Sequence, residues 1–286
     1  MRPRSRARRR VLEWVFAGVF AACIVVALSI LAILLGSVVA EALPYLRPSV
    51  VLNFASHRPE SAGYAAAIVG TVWVVGLTLL FSLPLGMAAA IYLEEYAPRT
   101  RLTRLLEAGV SNLAGVPSVV FGLLGLALFS RFLGLGFSIL AAALTLTVLV
   151  FPYVVITTQE AIRAVPSSLR EGALALGATK WQTIRRQVLP AGGPGLLTAS
   201  ILAASRAMGE TAPLIVLSSV IFMTFLPLDP MDPFVVLPVQ IYGYIGLPQE
   251  EFQGIAAAGI VILLAMLLSF NSVAILVRNR MQRRRW

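Results

Sequence analysis

The chain has 286 residues, of which 58% are hydrophobic and 13% charged, with a mean hydropathy of +0.87. This excludes a soluble globular or disordered protein and points to an all-α polytopic membrane protein. A net charge of +10 would suggest nucleic acid as a partner of a soluble protein, but the arginines cluster at the ends of apolar runs, so membrane topology accounts for them and no nucleic acid is expected.

In chain order, residues 1–13 form a basic tail with six arginines in its first ten positions, ahead of an apolar run over 14–40. That run is longer than the 7–15-residue core of a signal peptide, so it is expected to stay as a first spanning helix. Residues 41–63 form an outer loop with three prolines and the lone His57. One histidine without neighbouring ligands makes no metal site, and the single Cys23 lies in an apolar run, so no metal, cofactor or disulfide is expected. Further spans are expected over about 64–93, 110–132, 137–158, 193–223 and 254–277, with a tight Gly134-Leu135-Gly136 turn between the third and fourth. Each exceeds the roughly 20 residues that cross a bilayer. The chain closes on a basic tail, 278–286.

Lysine and arginine counts orient these six spans. Six lie in the amino tail, three in the second-to-third loop, five from Arg163 to Arg186 and five in the carboxyl tail; the opposite side has Arg47, Arg58 and Arg131. The positive-inside rule places both termini and residues 159–190 in the cytoplasm. Pro84, Pro117, Pro152 and Pro213 are expected to interrupt spans two to five. A proline leaves the carbonyl four residues back without its helical partner, and only protein or a watery cavity can supply another. Those spans are therefore the expected lining of a pathway, with span one peripheral.

Residues 166–190, PSSLREGALALGATKWQTIRRQVLP, form a polar island. Ser168 with Glu171, and Thr179 with Gln182, read as two capping boxes. Gly177 between them suits a positive φ, Pro190 is expected to close the second helix, and Trp181, Ile184 and Val188 would share a face. The alternative is an arginine-rich interfacial helix lying on lipid.

Span five contains the string SRAMGETAP, residues 205–213. Arg206 lies thirteen residues past Gly193, about 20 Å along a helix rising 1.5 Å per residue, so it is expected near the midplane, where a charge costs on the order of 3 kcal/mol. Glu210 at i+4 is on the same face and can pair with it. Pro213 is expected to leave the carbonyl of Gly209 free beside them. A guanidinium's planar fork suits the oxygens of phosphate or carboxylate; the plainer reading is a salt bridge holding the bundle together.

Two resemblances follow from these strings. Glu171-Gly172-Ala173, Gly177 and Leu189-Pro190 resemble the coupling-loop motif of ABC importer permeases, with Gly172 in place of an alanine and Gln187 in place of the usual isoleucine. SRAMGETAPLIV, with SLPLGMAAAIYLEEYA and NLAGVPSVVFGLLGLALF, is similar to the A-type permease subunits of bacterial high-affinity phosphate importers. The resemblance implies a type I importer transmembrane domain over 64–277 in the bacterial inner membrane, with phosphate as substrate. It implies a homologous second permease (a heterodimer), two ATPase subunits and an outer phosphate-binding protein as partners. Glu171, Gly172, Ala173 and Gly177 would couple to the ATPase; Arg206, Glu210, Ser118 and Thr211 would line the substrate pathway. No G-x-x-x-x-G-K-[ST] loop is present, so the chain is expected to catalyse nothing and hold no catalytic residue. Two other readings stay open: the same architecture for molybdate or sulfate, or a secondary transporter without an ATPase.

Overall fold

Hydrocarbon offers no partner to backbone N–H and C=O groups, so an apolar chain has to satisfy them within helices. The computed structural model describes residues 4–218 and 222–283; expectations falling on 1–3, 219–221 and 284–286 lie outside the described residues. The helices are α1 Arg4–Ala42, α2 Pro48–Leu52, α3 Ala65–Ile91, α4 Arg101–Ala114, α5 Ser118–Gly125, α6 Ile139–Arg163, α7 Ser167–Ala175, α8 Lys180–Thr183, α9 Leu189–Gly209, α10 Ala212–Leu217, α11 Leu237–Ile245 and α12 Glu251–Arg283. No strand forms among the described residues beyond a single bridge between Ser138 and Pro233.

Among the described residues, five helical stretches are long and apolar enough to cross a membrane: Leu12–Tyr45, Ala65–Tyr96, Ile139–Arg163, Lys180–Gly209 and Glu251–Arg280. A sixth crossing exists if Arg101–Ala114 and Ser118–Phe132, bent by 100°, count as one. The expected straight third span is therefore corrected. Gly115 ends α4, and the restriction that Pro117 places on its predecessor keeps the helix from resuming in line. The charged run before it is no loop: Thr100 caps α4 by accepting the Thr103 N–H at 3.3 Å, and α4 leaves no residue buried.

The fifth span also differs. Pro190 does not close a helix; it sits in the first turn of α9, where a missing N–H costs least, and a π-helical stretch, Ile184–Val188, joins α8 to it. The span thus begins at Lys180, not near Gly193, and α9 stops at Gly209, with Glu210 already extended (ψ 115°). Of the four prolines expected to interrupt spans, Pro84 and Pro152 do lie inside α3 and α6, whereas Pro117 and Pro213 stand at helix starts. Pro194, inside α9, is a further interior proline.

Packing places α3, α6 and α9 at the centre. Thr78 Oγ1 of α3 donates to the Ala143 carbonyl of α6 at 3.3 Å, and Val74, Leu146, Leu149, Val150, Val154, Ala203 and Ala207 form one buried cluster. Helix α1 lies against α12 with its long apolar run exposed. At the opposite end from the α7–α8 hairpin, the stretch between α10 and α12 folds inward. Its helix α11 is buried because Gln240 Nε2 (2.6 Å) and Tyr244 Oη (3.0 Å) both donate to the Gly63 carbonyl. Burial pushes the Tyr244 phenol above its ordinary pKa, so it remains a proton donor there. His57 stacks on Phe222 with ring centroids 3.8 Å apart.

Candidate substrate pathway and coupling hairpin

The hairpin forms where local chemistry demands it. Thr179 and Gln182 make the reciprocal capping box, with the Thr179 N–H donating to Gln182 Oε1 at 2.8 Å. Gly177 has φ +83°, the left-handed conformation that ends α7. Ser168 makes no such box: α7 starts one residue earlier, after Pro166, with no side-chain cap. The expected shared face of Trp181, Ile184 and Val188 also fails, since Ile184 and Val188 are buried while Trp181 is 53% exposed. The apolar tip faces outward: Leu176 is 91% exposed, and Leu169 and Leu174 are exposed as well. Glu171 and Gly172 are exposed and Ala173 half-buried beside them.

The base of the hairpin is tied down by charge. Arg170 donates from Nε to Glu95 at 3.0 Å, from Nη1 to the Val165 carbonyl at 2.8 Å and from Nη2 to the Ile162 carbonyl at 2.9 Å. Arg163 meets Glu94 at 2.8 Å, and Lys180 Nζ lies 5.1 Å over the Tyr96 ring. Glu94 and Glu95 were not singled out from the sequence; their signal was an acidic pair at the end of an apolar run, with arginines following later spans.

In span five, Arg206 Nε lies 3.2 Å from Glu210 Oε1, with the two side chains 35% and 14% exposed. The contact is ionic without being directed: Nε is buried and makes no hydrogen bond among the described residues. The guanidinium carbon sits 3.7 Å over the Tyr153 ring, two residues past the centre of α6, a partner that sequence spacing did not show. Ser205 Oγ is 2.9 Å from Asn271 of α12. The carbonyl of Gly209 is met by Thr211 Oγ1 at 3.3 Å, and the chain then re-enters a helix at Ala212. Thr211 therefore occupies the break itself.

Spans three and five meet at their breaks. A Cβ on Gly122 of α5 would stand 2.7 Å from Pro213 Cα, so only glycine permits this approach. Ser118, one turn earlier in α5, is half-buried and makes no hydrogen bond to Arg206 or Glu210 among the described residues. No group of three or more metal-ligating side chains occurs among the described residues.

A helical bundle long and apolar enough to cross a membrane, with two broken helices in contact at Gly122 and Pro213 and an exposed hairpin at one end, has the architecture of a membrane permease. Residues 82–283 match the family described as binding-protein-dependent transport system inner membrane component, and the chain belongs to that family. It is an ABC importer permease subunit, working with ATPase and binding-protein partners, and ATP hydrolysis belongs to the separate ATPase subunit. The probable ABC transporter permease protein YqgI of Bacillus subtilis is 30% identical over 207 residues, 72% of this chain and 70% of that protein. The phosphate transport system permease protein PstA of Haemophilus influenzae is 32% identical over 238 residues, 83% of either chain. A chain in the crystal structure of a bacterial alginate ABC transporter, in complex with alginate pentasaccharide-bound periplasmic protein, shares the fold. Its TM-score is 0.69 at 19% identity, covering 99% of this chain and 98% of that one.

Proposed function

We propose that this subunit carries inorganic phosphate inward across the cytoplasmic membrane, paired with a homologous second permease and served by two ATPase subunits and an outer phosphate-binding protein. The similarity to the Haemophilus phosphate permease, over 83% of both chains, supports the substrate. The observation that carries the site is the Arg206–Glu210 pair at the break of span five, whose guanidinium makes no hydrogen bond among the described residues. A guanidinium in that state is a ready donor to a tetrahedral oxyanion. Glu210 holds it when no anion is present and competes with the anion for it, which keeps binding weak enough for release. Ser118 and Thr211 belong to the same pathway, from the two elements that abut at Gly122 and Pro213.

The asymmetry of arginine and lysine supports termini and hairpin in the cytoplasm. There the exposed Leu176 and Trp181, beside Glu171, Gly172, Ala173 and Gly177, form the surface on which the ATPase docks. The test is uptake of radiolabelled phosphate by the complex reconstituted in proteoliposomes with its binding protein, in competition with molybdate and sulfate. Phosphate uptake unaffected by excess molybdate or sulfate and abolished in Arg206→Gln is the expected result. Uptake of molybdate or sulfate in preference to phosphate would overturn the substrate. Near-normal phosphate uptake by a variant with Arg206 and Glu210 both replaced by a neutral, well-packed pair would reduce the ion pair to a structural one.

A further inference from the structure

Resting on the reading of Arg206 as an anion contact, we propose that Tyr153 is the positioning residue that aims its guanidinium, and that its hydroxyl ties this aim to the bend in span three. The guanidinium carbon lies 3.7 Å over the ring, close enough for the ring's negative face to hold the cation. A guanidinium donates in its own plane, so a ring stacked on one face blocks no N–H. Glu210 occupies the Nε side at 3.2 Å. With one face on Tyr153 and one edge on Glu210, the orientation is fixed while the two terminal nitrogens make no hydrogen bond among the described residues. They form the fork that two oxygens of an oxyanion fit.

The ring is itself held. Its backbone follows Pro152 inside α6, and its Oη donates to the Ala114 carbonyl at 2.7 Å. Ala114 is the last residue of α4, where a helix leaves carbonyls without internal partners, and it stands at the 100° bend into α5. Any change in that bend pulls on the Tyr153 hydroxyl and so moves the surface on which Arg206 rests. The same α4 carries Glu107, 4.0 Å from Arg163 ahead of the hairpin. Tyr153 thereby joins the charged pair to the element that lies between it and the hairpin base.

The experiment uses the full complex in proteoliposomes, at matched subunit amounts, and reads radiolabelled phosphate taken up per ATP hydrolysed. Position 153 carries Tyr, Phe, 3,4,5-trifluorophenylalanine or Leu. Fluorination keeps the ring's shape and withdraws its negative face, a change that a packing role would not register. Expected are a loss of about threefold from Tyr to Phe, which gives up the hydroxyl's tie to the bend, a further loss of about tenfold from Phe to the trifluoro ring, and Leu as inactive as Arg206→Gln, each with ATPase subunits bound; equal uptake per ATP with Tyr and Phe overturns the tie to the bend. Equal uptake with Phe and the trifluoro ring, or wild-type uptake with Leu, overturns the proposal while an inactive Arg206→Gln leaves the anion site standing. Normal uptake by Arg206→Gln overturns both.

Discussion

Arg170 and Arg206 are both paired with a glutamate, yet their surroundings are opposite. Arg170 is 23% exposed against a Glu95 that is 10% exposed, and it donates to that carboxylate and to two main-chain carbonyls. Arg206 is 35% exposed, touches one carboxylate with no hydrogen bond among the described residues, and rests on a ring. Each of the first one's three guanidinium nitrogens makes a hydrogen bond, which fixes the hairpin base; the second keeps donors available, and the proposed function gives them to the anion. Under the proposed function, the lesson is that pairing by itself would not distinguish a structural arginine from a working one, whereas the count of satisfied donors would.

The sharpest way to break this contrast is Arg206→Gln, for which uptake should fall below about 1% of wild type, as for loss of a charged anion contact. ATPase subunits should still copurify, and Arg206→Lys should recover little because the fork is gone. Normal transport in either variant would make Arg206 another Arg170. Next comes Gly177→Val: at φ +83° a β-branched side chain costs at least 1–2 kcal/mol, so the hairpin tip should shift and uptake per ATP should drop about tenfold. The protein should remain in the membrane, as blotting would show.

Arg170→Ala should cost about 2 kcal/mol of local stability at the hairpin base, since it leaves the Glu95 carboxylate and two carbonyls short of donors. Limited proteolysis should then cut within 163–190 faster, and ATPase copurification should weaken; unchanged cleavage would show that the clamp is ornamental. Thr179→Ala removes one half of the capping box and should cost about 1 kcal/mol, read as a smaller change in the same assay. Arg163→Ala should do least: the arginine is 55% exposed, and exposed pairs contribute about 0–1 kcal/mol. A large effect there would mean that exposure is the wrong guide to these arginines.

What the sequence determined by itself was local. The apolar runs fix an all-helical membrane protein, because each run must close its own hydrogen bonds in lipid. Thr179 with Gln182, the positive φ at Gly177, and Arg206 with Glu210 one turn apart are all settled within four residues of chain, where backbone geometry alone decides what can meet. Tertiary structure decided where helices stop and which charges are satisfied. The sequence could not show that Pro190 would be carried in a first turn after a π-helical stretch, or that Pro117 would stand at a 100° bend, because each proline permits either outcome and only packing selects. It could not show Glu95 holding Arg170 across 75 residues, nor Tyr153 beneath Arg206. Those partners come from other helices, and their approach depends on contacts such as Gly122 against Pro213, which exist only once the bundle has closed.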